Sequence, residues 1–205
     1  MKFASASLFL ATALGFSEAA PATHHKKPPY FILTGDSTVA INGGWGNGFL
    51  SVLKSGANGI NRGKSGATTV SFRKQGRWNS TLEDVETQIL ITSLTRRAFS
   101  GGEVKQNLKN ERNQTILAAE AVRAKYLDLN LASTNYINAI GQENAYYYNL
   151  GGSDRTHLNP AGETVFGRMV ADLLLRKPRD LKKYVTPNLA LSEKIWAGEF
   201  ATGDE

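Results

Sequence analysis

The chain has 205 residues, 41% of them hydrophobic, and 24 Lys and Arg against 18 Asp and Glu, for a formal charge of +6 at pH 7. That is enough for one globular domain with a core of its own. The absence of cysteine excludes disulfides, thiol catalysis and thiolate-held metals.

Lys2, the apolar Phe3–Phe16 stretch and the small residues near Ala19–Ala22 read as a secretory signal peptide over about residues 1–20, too short for a membrane span. The expected location is therefore outside the cell. Residues 21–29 are a polar lead-in holding His24 and His25, two of the three histidines. Tyr30–Thr34 reads as a buried strand stopped at Gly35. Gly43, Gly44, Gly46 and Gly48 surround Trp45 and predict a close-packed loop. Phe49, Leu50, Val52 and Leu53 form a helical face ended by Gly56. Ile60–Asn61 closes a second strand before Gly63-Lys-Ser-Gly66.

Ser80-Thr-Leu-Glu83 suggests a capping box for a helix toward Gln88. Ile89–Thr92 is the best strand signal. Ile116, Leu117, Ala121 and Val122 have the spacing of a helix facing the core, and Tyr126–Asn130 reads as a strand. Asn159 and Pro160 open a final helix as N-cap and first residue. Its stripe is Val165, Phe166, Met169, Val170, Leu173 and Leu174. The tail from about residue 179, with Tyr184, Leu189 and Trp196, is expected to pack on the surface. Alternating strands and helices predict an α/β layer fold with a parallel sheet, as a single domain over residues 30–205.

Two strings carry chemistry. Ser37 follows Gly35-Asp36 where the first strand ends, the place where sites form in open parallel sheets. His157, the only histidine left for the folded body, lies three residues after Asp154, so one turn can set the carboxylate on the imidazole. A serine needs a base and the base needs an orienting group. Asp36 reads as a turn ligand rather than a second acid. Gly59-x-x-x-Gly63-Lys64-Ser65 is one residue short of a phosphate-cradling loop, and no Gly-x-Ser-x-Gly elbow is present. With one body histidine and no cysteine, no metal or other cofactor is expected. Tyr146–Tyr148 is either a sugar-stacking face or packing.

The strings Ile32-Leu-Thr-Gly35-Asp-Ser-Thr38, Asn61-Arg-Gly63-Lys-Ser65 with Arg77-Trp78, and Asp154-x-x-His157-Leu-Asn-Pro-Ala-Gly162 resemble, in order, three blocks of the SGNH or GDSL-type serine hydrolases. The Gly-Asp-Ser-Thr opening and Gly-Trp-Gly loop are most similar to the fungal rhamnogalacturonan acetylesterase group. The resemblance runs from Tyr30 to about Arg176. It implies a three-layer, flavodoxin-like sandwich, with Ser37 as nucleophile, His157 as base and Asp154 as its orienter. The amides of Ser37 and Gly63 would form the oxyanion hole.

The family's fourth block, Gly-x-Asn-Asp on a central strand, has no counterpart here. After Val85-Glu-Thr-Gln88 the chain passes straight to Ile89. Against the resembled family, at least one central strand–helix unit, roughly 30 residues or more, is absent, and a skipped exon explains this more simply than an evolved loss. Ile89–Ser93 sliding into the vacated place would bring Leu94, Thr95 or Arg96 to the site.

The resemblance implies a secreted carbohydrate esterase acting on acetyl groups of pectic polysaccharide, with Trp45 and Arg96 as substrate contacts. The alternative is a catalytically impaired truncated isoform or a carbohydrate-binding pseudoenzyme. The positive charge suits an acidic polysaccharide as partner. No basic helix with interleaved aromatics marks a nucleic-acid binder. No membrane partner is expected, and the chain is taken as a monomer. Asn79-Ser-Thr81 and Asn113-Gln-Thr115 are glycosylation sequons at Asn79 and Asn113.

Overall fold

The computed structural model describes residues 27–84, 86–176 and 181–205. The stretch expected to be a signal peptide, His24 and His25 lie outside them. The element order is β1 (Tyr30–Leu33), α1 (Gly46–Ser51), β2 (Asn58–Asn61), α2 (Thr69–Lys74), α3 (Arg77–Glu83), β3 (Ile89–Ile91), β4 (Phe99–Ser100) and β5 (Glu103–Val104). It continues with α4 (Lys109–Ala121), β6 (Lys125–Leu127), α5 (Leu129–Tyr146), α6 (Pro160–Leu175), a 3-10 turn (Lys182–Tyr184) and α7 (Leu189–Ala197).

The fold is α/β with parallel strand pairing, but the sheet is interrupted. β1 pairs with β2 and β3 with β6, both parallel, while β4 and β5 form a small antiparallel hairpin. Among the described residues no ladder joins β1 to β3. Sliding of β3 against β1 has therefore not repaired the sheet, and the break falls where the sequence passes directly from Gln88 to Ile89.

The halves are held together by side chains. Leu33 and Val39, from the first strand and the turn after it, share one core with Leu94, Leu127, Val165, Phe166 and Met169. Ile89 and Ile91, two apart and so on one face of β3, pack on that core. α4 contacts β3 and β6, and its buried residue Ala119 lies outside the main cluster. The β3–β6 pair thus has α4 packed on it outside the main core, while β6 also meets α6.

The α6 stripe forms as its period demands. Val165, Phe166 and Met169 are fully buried, Asn159 Oδ1 accepts from Gly162 N at 2.9 Å, and Pro160 takes the first turn. α1 crosses α6 at backbone contact: a Cβ added at Gly48 would stand 1.9 Å from the Glu163 carbonyl oxygen, and one at Gly167 2.4 Å from Gly48 C.

Several local expectations are corrected. α1 begins at Gly46 and ends at Ser51, ahead of Val52 and Leu53. The capping box sits at Thr68 and Ser71, opening α2. Ser80 lies inside α3, where its hydroxyl donates to the Arg77 carbonyl. On α4 the inward stripe is Arg112, Thr115, Ile116 and Ala119, while Leu117, Ala121 and Val122 are exposed. The sheet beneath it is two strands wide and offers little apolar surface to cover.

β6 ends at Leu127, because Asp128 caps the long helix α5, which breaks at Gly141. The Asp128 carboxylate accepts from Thr92 Oγ1 at 3.0 Å, from Leu131 N and from both arms of Arg112. Burial would raise this carboxyl, but Arg112 and the other donors hold it below the usual range. It ties β3, α4 and α5 together.

The tail does more than rest on the surface. Leu191, Ile195 and Ala201 are buried. Ala201 is bound through its backbone by the paired hydroxyls of Tyr136 and Tyr148. Of the tyrosine run, Tyr148 is fully buried and Tyr147 is exposed. Leu189 remains exposed and Trp196 partly so. Asn79 and Asn113 lie on the exposed sides of α3 and α4.

Candidate active site

Three loops, each following a strand or preceding α6, converge at one end of the molecule. The first turns at Asp36, whose Oδ1 accepts from Thr38 N and Thr38 Oγ1, both at 2.8 Å. This is the local Asx bond that lets a short carboxylate shape a turn, so Asp36 serves the backbone. Ser37 rides on that turn half-buried. Among the described residues neither its hydroxyl nor its amide has a hydrogen-bond partner.

The second loop follows β2. Lys64 N donates to the Gly35 carbonyl at 2.9 Å, and Asn61 Nδ2 donates to the Val39 carbonyl at 2.7 Å. Asn61 Oδ1 accepts from Gly63 N at 2.9 Å. This corrects the expected oxyanion hole: Gly63 stands against Val39 and Ala40, but its N–H is already spent on Asn61. Only the Ser37 amide is free of the expected pair.

The third loop carries Asp154 and His157. His157 Nδ1 lies 2.8 Å from Asp154 Oδ2, and Asp154 Oδ1 accepts from the amides of Thr156 (2.8 Å) and His157 (2.9 Å). Burial alone would raise this carboxyl. The two amide bonds and the imidazole outweigh it and hold the carboxyl at about 2. A carboxylate so held fixes the ring with Nδ1 toward Asp154, leaving Nε2 to take a proton.

The loops are laced together by residues 43–45. Trp45 N donates to the Thr38 carbonyl and Leu158 N to the Gly43 carbonyl, both at 2.9 Å. Glu163 Oε1, on the first turn of α6, accepts from Gly43 N at 2.7 Å. Gly43 has φ +126°, and a Cβ there would stand 3.2 Å from His157 Cβ. Only glycine holds that backbone without strain, so Gly43 lets the serine turn and the imidazole share one wall. Among the described residues no hydrogen bond joins Ser37 Oγ to His157 Nε2.

The two expected substrate contacts fare differently. Trp45 is 3% exposed and belongs to the core with Leu33, Val39 and Phe49, which corrects its assignment: its indole has no face left for a sugar. Arg96 is exposed and adjoins Arg97, whose backbone N donates to the Arg155 carbonyl at 2.8 Å. Thr95 is buried, its amide bonded to Ser133 Oγ, and so is Leu94. The Thr95 amide is therefore not available as a replacement donor.

The sequence reading missed Asn61, Glu163 and Arg97. Asn61 was readable only as a strand end, and Glu163 only as a first-turn acid of a capped helix. Nothing local marks a buried arginine in Thr-Arg-Arg97.

The Asp154 geometry makes a testable statement about acid. A carboxyl lowered from the ordinary 3.8 to about 2 contributes stability that is whole above the ordinary value and lost as pH falls through the lowered one. The wild type should exceed Asp154→Asn in urea midpoint at about pH 6, with the difference narrowing from about pH 4 to pH 2. A pH-independent difference would show that the charge is not what stabilises the loop.

No family model matches the sequence, and no curated protein matches it. Solved structures do. The crystal structure of protein YxiM from Bacillus subtilis is similar with a TM-score of 0.64 at 20% identity, over 74% of this chain and 57% of that one. A protein from Parabacteroides merdae, proposed in its description to be a GDSL-like lipase, is similar with a TM-score of 0.50 at 13% identity, over 74% of this chain and 98% of that one. The chain thus spans little more than half the length of the YxiM chain. These likenesses establish the architecture: an α/β fold shared with both proteins, here with its sheet divided between β1 and β3.

Proposed function

We propose that the protein is an exported serine esterase of the SGNH type that removes acetyl groups from an acidic polysaccharide. The observation that supports it is the Asp154–His157 pair at 2.8 Å on a loop bonded through residues 43–45 to the turn that carries Ser37. In this reading His157 Nε2 takes the Ser37 proton as Oγ attacks the acetyl carbonyl. The Ser37 amide donates to the oxyanion, and His157 returns the proton to the departing sugar hydroxyl. Water then releases acetate by the same route. Hydrogen bonds of this kind are commonly formed only once substrate is bound.

The formal charge of +6 and the exposed Arg96 favour an anionic polymer. Acetate release from acetylated pectic polysaccharide should fall as salt rises from about 0.05 to 0.5 M, while release from a small neutral acetyl ester changes little. Equal salt dependence on the two substrates would remove the acidic polysaccharide from the proposal.

A second reading is favoured by one observation. With Gly63 N occupied by Asn61, the oxyanion hole is short of donors, and each lost donor costs about 10²–10³ in turnover. A slow enzyme, or a protein that binds acetylated polysaccharide without hydrolysing it, fits that geometry. Binding with no acetate release above the Ser37→Ala level would decide for it.

A further inference from the structure

Arg97 heads the fully buried side chains by size. A guanidinium out of water is normally matched by a carboxylate. Arg97 forms no ion pair among the described residues; its partners are neutral oxygens. Nε donates to Asn149 Oδ1 at 2.7 Å and Nη2 to the His157 carbonyl at 2.6 Å. The backbone N donates to the Arg155 carbonyl at 2.8 Å, and Nη1 has no partner. Burial pulls its pKa down to about 10, with Asp154 opposing the shift and Arg155 adding to it. It therefore remains charged at neutral pH.

Its contacts are concentrated on one object. The segment from Asn149 to Leu158 returns on itself, with a bridge between those two residues and Leu150 N bonded to the His157 carbonyl at 3.0 Å. Arg97 holds both legs of that return and the backbone on either side of Thr156. It reaches them from the segment that follows β3, on the far side of the sheet break from Ser37.

We infer that Arg97 is a positioning residue for His157: its planar fork clamps the Asp154–His157 loop to the β3 half of the molecule and fixes where the imidazole stands relative to Ser37. This rests on the serine-esterase reading for its effect on turnover, but not for its effect on the loop. A lysine could keep the charge but not the fork.

The test uses the chain with His24→Gln and His25→Gln, so that His157 is the only imidazole. Two readouts are taken: kcat and KM on a small neutral acetyl ester, and the low-field proton resonance of His157 Nδ1–H hydrogen-bonded to Asp154. In Arg97→Met, kcat should fall by about 100-fold with KM within about twofold, as for a displaced catalytic group, and the resonance should broaden away. In Arg97→Lys, kcat should fall by about tenfold with the resonance weakened. Asn149→Ala removes one acceptor and leaves the core cation in place, so it serves where Arg97→Met does not fold. There kcat should fall by about fivefold and the resonance broaden.

Folded Arg97→Met with wild-type kcat and an intact resonance would overturn the inference. So would Asn149→Ala unchanged in both readouts where Arg97→Met does not fold. The two claims fail separately. If Ser37→Ala hydrolyses as fast as wild type, the esterase reading falls, while the resonance still reports what Arg97 does to the loop.

Discussion

Ser37→Ala should lower kcat for acetyl-ester hydrolysis by about 10⁴–10⁶-fold and leave KM nearly unchanged, the pattern of a lost nucleophile. Ser37 is suited to such a clean experiment. Its hydroxyl has no structural hydrogen bond to lose among the described residues, and the turn is built by Asp36 and Thr38. Removing the hydroxyl leaves the backbone of the turn in place, so KM has no reason to move. In the wild type, a fast first release of alcohol equal to the enzyme concentration would show the acetyl-enzyme directly. Equal rates for the two proteins would remove Ser37 from the chemistry, whatever its distance from the imidazole.

Gly167→Ala is expected to cost about 3 kcal/mol or more, at the upper end of what overpacking does. A Cβ there would stand 2.4 Å from Gly48 C and 2.5 Å from Phe49 N. Both obstacles are backbone atoms of α1, so no rotamer change makes room. The helices must separate, and Val165, Phe166 and Phe49 lose their contacts together. The damage reaches the site as well, since the N-terminal end of α6 carries Glu163, which bonds Gly43.

Gly151→Ala is the control. A Cβ at Gly151 meets nothing within 4 Å, and the change should stay within about 0.5 kcal/mol. Thermal unfolding of the three proteins decides it. A Gly167→Ala protein as stable as Gly151→Ala would mean that α1 and α6 are not in backbone contact.

What the sequence made legible is what depends on neighbours along the chain. Asn159-Pro160 with a 3.6-residue stripe fixed α6, and Asp154-x-x-His157 needed only one turn to close. Asp36, Ser37 and Thr38 were readable for the same reason. What it concealed depends on distant partners. α4 carries apolar residues on two sides, and only the narrow sheet beneath it decides that Ile116 faces inward while Leu117 does not. α5 went unread because Asn, Ser, Thr and Gly crowd its sequence. Its start is set by Asp128 accepting from Arg112 and Thr92, residues of other elements. The glycines around Trp45 pointed to a close-packed loop, and it is that loop and the core that bury the indole expected to meet substrate. Gly63 packs against Val39 and Ala40, and the Asn61 side chain that takes its N–H follows from a fold, not from a motif.

The division between β1 and β3 has a consequence for how the molecule opens. A strand with one partner leaves every other main-chain N–H without a ladder acceptor. Deuterium should therefore enter alternate positions of Phe31–Leu33 and Leu90–Ile91 rapidly, while the amides of α6 stay protected for far longer. The β1–β2 and β3–β6 pairs would then behave as separate cooperative units, each unzipping on its own and meeting only through the shared hydrophobic centre. A single uniform exchange rate across both pairs would show that the two halves unfold as one.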